Sequence, residues 1–138
     1  IAIAAPTASF VQAFSKIGLI PDAGGSWLLV ERLGLPRAMA LAMTGDKLMA
    51  DKAKEWGLIW DVADDCVAAA LALADKLAVM PTKALVATRH LLRDAGTRSL
   101  DAHLNVERDT QSALGKTQDY MEGVNAFLEK RPAQFKGE

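Results

Sequence analysis

The chain has 138 residues, 51% hydrophobic and 24% charged, the proportions of a globular domain and not of a disordered tail. Sixteen basic against seventeen acidic side chains leave a net charge of −1, which speaks against a nucleic-acid-binding face or a polybasic membrane surface. A single cysteine, Cys66, excludes an internal disulfide, and two widely spaced histidines offer no familiar metal-ligand spacing. A reducing, cytoplasmic setting is therefore expected. Apolar runs such as VAAALALA are broken by charge well before the roughly 20 residues of a membrane span, so the chain is expected to be soluble. It opens at Ile1, directly in the strand-like run IAIAA, and is read as a fragment or a processed chain.

In chain order, IAIAA, ASFVQ and IGLI are apolar, partly β-branched and split by Pro6 and Pro21, which predicts brief strands and turns. Helices follow. SWLLVERLG, AMALAMTG and ADKAKEWG end at Gly34, Gly45 and Gly57, each able to take the left-handed conformation that closes a helix. Val67, Leu71, Ala74 and Ala78 recur at helical steps and predict an amphipathic helix running up to Pro81. A second long helix is expected from Pro81 to Asp94, a third from Ser99 after the break at Gly96 and Thr97, and a last one with Tyr120, Val124, Phe127 and Leu128 on one face, closed by Pro132. The division expected is 1–63, short strands and short helices, and 64–138, a helical region.

The bend IPDAGG poses the chemical question. Pro21 stiffens the backbone and Gly24 and Gly25 permit conformations that a side chain would block, so the carboxylate of Asp22 is held on a fixed turn. Two readings stay open: Asp22 caps the following helix, as aspartate commonly does, or it carries chemistry. The segment lacks the lysine of a phosphate-binding loop and the spacing of a dinucleotide fingerprint.

The runs ASFVQAFSKIGLIPDAGGSW, TGDKLMADKAKEWGLIWDVADD and YMEGVNAFLEKRPAQFKGE resemble, in order and over essentially the whole chain, the C-terminal half of the crotonase, or enoyl-CoA hydratase/isomerase, superfamily. AFSKIGLIPDAGG and EWGLIW resemble most the ring-1,2-epoxyphenylacetyl-CoA isomerases of phenylacetate degradation. The fold this implies is α/β: the last turns of the crotonase spiral, then a helical trimerisation region. The implied assembly is a homo-oligomer, a trimer or a hexamer of two trimers. No cofactor is implied; the substrate would be a coenzyme A thioester.

The resemblance also assigns roles. Hydratases of the family carry F-x-x-P-E before the bend, its glutamate being one of two catalytic carboxylates; here the run is Phe10 to Phe14, and Phe14 stands in the glutamate's place. Several isomerases of the superfamily carry a catalytic aspartate after the bend's proline, and this chain has Asp22. One carboxylate can move a double bond if it is partly desolvated, here beside Phe14 and Ile20. Phe14, Ile20 and Pro21 are the expected substrate wall, and the oxyanion hole would come from the N-terminal half, outside this chain. Phe127 and Lys130 resemble the family's C-terminal aromatic and lysine, lining the acyl and CoA phosphate sites, though core packing for Phe127 and simple solvation for Lys130 stay open. His90 and His103 are read as surface or interface residues, Cys66 as inert, and Trp27, Trp56 and Trp60 as packing residues. A hydratase, and a helical assembly module without turnover, are the alternatives to an acyl-CoA isomerase.

Overall fold

The computed structural model describes residues 1–138, which divide into two compact units, Ile1–Ala72 and Leu73–Glu138. In the first unit, strand β1 (Ile3–Ala4) lies parallel to β4 (Asp61–Val62), and β2 (Ser9–Val11) lies antiparallel to β3 (Lys47–Met49). Phe10 pairs with Leu48 and both face inward, whereas Val11, Lys47 and Met49 are exposed, the alternation a strand with one covered face must show. IGLI was expected to include a strand, and the structure corrects this. Ala13–Ile17 forms a 3₁₀ turn closed by Gly18 in the left-handed conformation, and Leu19 and Ile20 follow as irregular chain. With no neighbouring strand to pair with, an apolar tetrapeptide has no reason to extend.

Between the strand pairs stand α1 (Gly25–Leu33), α2 (Leu35–Thr44) and α3 (Ala50–Glu55). Leu29 and Leu33 of α1, Ala38 and Leu41 of α2, Leu48, Ala53 and Ile59 make the buried cluster, flanked by Ala4, Phe10, Trp56, Leu58 and Val62. The spacings of three and four place each helical pair on one face. Pro36 sits in the first turn of α2, where its missing N–H costs nothing. Gly45 closes α2 at φ 63°, and a Cβ there would stand 2.8 Å from the Lys16 side chain and 3.2 Å from the Gln12 carbonyl oxygen, so neither the backbone nor the space suits another residue. Arg37 lies over the half-buried Trp56 ring at 5.2 Å, a cation–π contact. Trp27 and Trp60, expected to pack, are 60% and 68% exposed.

Helix α4 (Cys66–Ala78) begins under Asp65, whose Oδ1 accepts the Ala68 N–H at 2.9 Å. Its packed side corrects the sequence reading: Cys66, Ala69, Leu73 and Leu77 are half-buried, while Val67, Leu71, Ala74 and Ala78 are exposed. The helix is apolar almost all round, so periodicity alone had two stripes to choose from.

In the second unit, α5 (Thr82–Asp94) packs on α6 (Leu100–Leu114), with an Arg98–Asp94 pair at 2.8 Å across the short turn between them. His103, read as a surface or interface residue, has a largely buried side chain, with Nε2 3.5 Å from Glu107. Thr117 caps α7 (Gln118–Glu129), its hydroxyl accepting the Tyr120 N–H at 3.1 Å. Pro132 does not close this helix; Lys130 does, in the left-handed conformation. Tyr120, Val124, Phe127 and Leu128 do share one face of α7, and that face is exposed, whereas Asp119 and Ala126 are buried. No helix is long and apolar enough to cross a membrane.

Candidate active site

Asp22 opens a tight reversal. The Gly25 N–H donates to the Asp22 carbonyl at 2.7 Å, and the two residues between them, Ala23 and Gly24, both have positive φ, 48° and 80°. Two left-handed residues in succession require glycine or incur strain, and Ala23 incurs it, on the order of 1 kcal/mol. Pro21 is half-buried and stacks on the Gly25 backbone side. The N-cap of α1 is Gly24, with no side-chain cap bond. Asp22 is therefore not the cap of this helix, and the capping reading of its carboxylate falls. The carboxylate is exposed and accepts no hydrogen bond within the chain.

Phe14 sits half-buried in the preceding 3₁₀ turn, and its carbonyl accepts the Leu19 N–H at 2.9 Å. That bond ties the turn to the segment leading into Asp22. Ile20 was expected to desolvate the carboxylate. It is 81% exposed, and Asp22 is open as well, so nothing in residues 1–72 dries the carboxylate. Phe127 and Lys130 belong to the second unit. At 83% exposure Phe127 is no part of that unit's core.

The most heavily built polar site in the second unit was not legible in the sequence. Asp119 is 5% exposed, and its two carboxylate oxygens accept the backbone N–H groups of Lys136 at 2.7 Å and Gly137 at 2.9 Å, while its own N–H donates to the Glu138 carbonyl at 3.1 Å. One turn on, Glu122 receives both terminal nitrogens of Arg131 at 2.6 and 2.9 Å and the Gln134 N–H at 2.8 Å. The only advance signal was an acidic pair three residues apart followed by Arg131, a pattern common on solvated helices.

The Arg131 guanidinium, helped by the Gln134 N–H, holds the Glu122 carboxyl at about 2, below its ordinary 4.5. A depressed carboxyl contributes stability above its unfolded value and loses it as pH falls toward its folded value. Glu122→Gln is thus expected to be less stable than the parent above about pH 4.5 and to converge on it as pH drops toward about 2. Urea midpoints of both proteins across that window check this; a difference that stays constant with pH would show that the pair contributes no linkage.

The enoyl-CoA hydratase/isomerase family profile matches residues 1–138. The chain belongs to that family. This crotonase-fold chain is 51% identical, over 99% of its length and 53% of the relative, to 1,2-epoxyphenylacetyl-CoA isomerase of Escherichia coli. It is 34% identical to 2,3-dehydroadipyl-CoA hydratase of the same organism, over 99% of its length and 54% of the relative. An enoyl-CoA hydratase from Bacillus anthracis superposes with a TM-score of 0.93 at 32% identity, covering 99% of this chain and 54% of that one. The crotonase-like chain thus spans about half the length of the proteins it matches. The expected fold, the C-terminal part of the crotonase architecture, is borne out.

Proposed function

We propose that the protein carrying this chain isomerises an acyl-CoA thioester, with Asp22 as the proton carrier. The observation that supports this reading most is a carboxylate free of any capping or ion-pair duty, fixed on a strained turn, while Phe14 occupies the place of a hydratase glutamate. A general base that removes a proton from carbon and returns it elsewhere needs such freedom to reach both positions. The negative charge developing on the thioester oxygen would meet backbone N–H donors supplied by residues outside this chain. Those residues, on the same reading, also dry the carboxylate. Strain beside a functional group is where such backbone is expected to persist.

The preferred substrate is 1,2-epoxyphenylacetyl-CoA, with an enoyl-CoA double-bond shift as the neighbouring activity. Phe14, Ile20 and Pro21 form the acyl wall, and Phe127 and Lys130 are proposed to reach the acyl and CoA phosphate ends of a neighbouring subunit's ligand. The protein is proposed to be a cytoplasmic homotrimer or pair of trimers, in which the exposed Tyr120, Val124 and Leu128 are covered. The test is turnover by the full-length protein of 1,2-epoxyphenylacetyl-CoA and of a 3-enoyl-CoA, with 2-enoyl-CoA hydration measured in parallel. Isomerised products with hydration at least about 100-fold slower are expected, the size of effect a missing acid–base residue produces. Hydration as the fastest reaction would replace this reading with a hydratase.

A further inference from the structure

Residues 131–138 have no helix or strand of their own, yet almost every one of their polar backbone contacts ends on α7. Helix α7 closes when the Arg131 N–H donates to the Ala126 carbonyl at 3.0 Å and the Lys130 N–H to the Phe127 carbonyl at 3.3 Å. This pair of bonds calls for a left-handed residue at position 130, where glycine is the usual occupant. The chain has Lys130 there, at φ 54° and ψ 39°. Beyond it, Arg131 grips Glu122 and Glu129, Gln134 bonds Glu122, the Phe135 ring lies on the bare face of Gly123, and Asp119 accepts the N–H groups of Lys136 and Gly137.

We propose that residues 131–138 are a strap fastened by Asp119 and Glu122, which locks Lys130 in its left-handed conformation and makes Asp119 a positioning residue for the CoA contact of Lys130. The proposal rests on the reading of Lys130 given above. A helix needing only to end could do so at glycine without strain. Here a non-glycine residue is kept in the strained conformation and its flanks are over-determined, the pattern expected where backbone strain serves a site. Burying the Asp119 carboxylate against two peptide N–H groups, and not in an ion pair, ties it to backbone position and so fixes the strap's register on α7.

The experiment uses the full-length protein and compares Asp119→Ala, Lys130→Ala and the double variant by steady-state kinetics with a 3-enoyl-CoA. Hydrogen exchange is read at Lys136 and Gly137. Lys130→Ala is expected to raise KM about fivefold with kcat changed less than about twofold, the signature of a remote phosphate contact that binds ground and transition states alike. Asp119→Ala should release the strap, seen as faster exchange at Lys136 and Gly137, and raise KM by a similar factor. The double variant should be no worse than Lys130→Ala alone, because the two changes remove one interaction. Should Asp119→Ala fail to fold, Glu122→Gln is expected to give a smaller KM increase of the same kind, also absent when Lys130 is already Ala. A freed strap with unchanged KM, while Lys130→Ala still raises it, overturns the positioning role and leaves Lys130 in the site. An unchanged KM for Lys130→Ala overturns the reading of Lys130 itself.

Discussion

Asp22→Asn in the full-length protein is expected to melt with the parent and to isomerise about 10²- to 10⁴-fold more slowly, the usual loss when a general base is removed. The expectation of unchanged stability comes from the turn. Gly24 caps α1, the Asp22 carboxylate has no partner within the chain, and what Asp22 contributes to the bend is its backbone carbonyl, which asparagine keeps. Asparagine also preserves size and the ability to accept a hydrogen bond while losing basicity. The measurement pairs the melting temperature with turnover and with exchange of substrate hydrogen into deuterated water. Exchange is the sharper readout, because it reports proton removal even if a later step limits turnover. A variant that melts, turns over and exchanges like the parent would reduce Asp22 to a bend residue, and with phenylalanine at position 14 these residues would hold no other proton carrier near the bend.

Leu48→Ala is expected to cost about 2–5 kcal/mol of unfolding free energy, the range for emptying a packed leucine site. Leu48 is 3% exposed and sits in β3 opposite Phe10, at the point where the strand pair meets the cluster of Leu29, Leu33, Leu41 and Ile59. β3 is three residues long, so two of its three side chains face outward and Leu48 alone anchors it. Met49→Ala on the same strand is the control: that side chain is 47% exposed, and its loss is expected to cost less than about 1 kcal/mol. Denaturant midpoints of the two variants decide the matter. If Leu48→Ala is no more destabilising than Met49→Ala, the strand pair is not held by this cluster.

Local chemistry was enough for the sequence to place the ends of its first three helices. Gly34, Gly45 and Gly57 each stand just past a helix at positive φ, because the preference of a helix end for glycine is a property of one or two residues. The breaks at Pro81 and at Gly96–Thr97, the run of long helices after Asp64, and the stiff bend at Asp22 are legible for the same reason. Family membership was legible as well, since three motifs in fixed order carry it whatever their packing.

Tertiary structure alone decided which surfaces are covered. Strands β3 and β4 span three and two residues, too few to show a period, and they exist because β2 and β1 lie beside them from far away in the chain. On α4 the apolar residues run round most of the helix, so the sequence offered competing stripes and the neighbouring chain chose between them; on α7 the single apolar stripe of Tyr120, Val124, Phe127 and Leu128 is left exposed, and the covered side carries Asp119 and Ala126. Asp119 makes the point most sharply. As a letter it is an acidic residue in the first turn of a helix, favourable there through the helix dipole and ordinarily solvated. It becomes a buried acceptor only because residues 136 and 137, seventeen and eighteen positions later, turn back to place their N–H groups against it. Hydrogen bonds between such distant residues depend on where the chain goes, which no local pattern encodes.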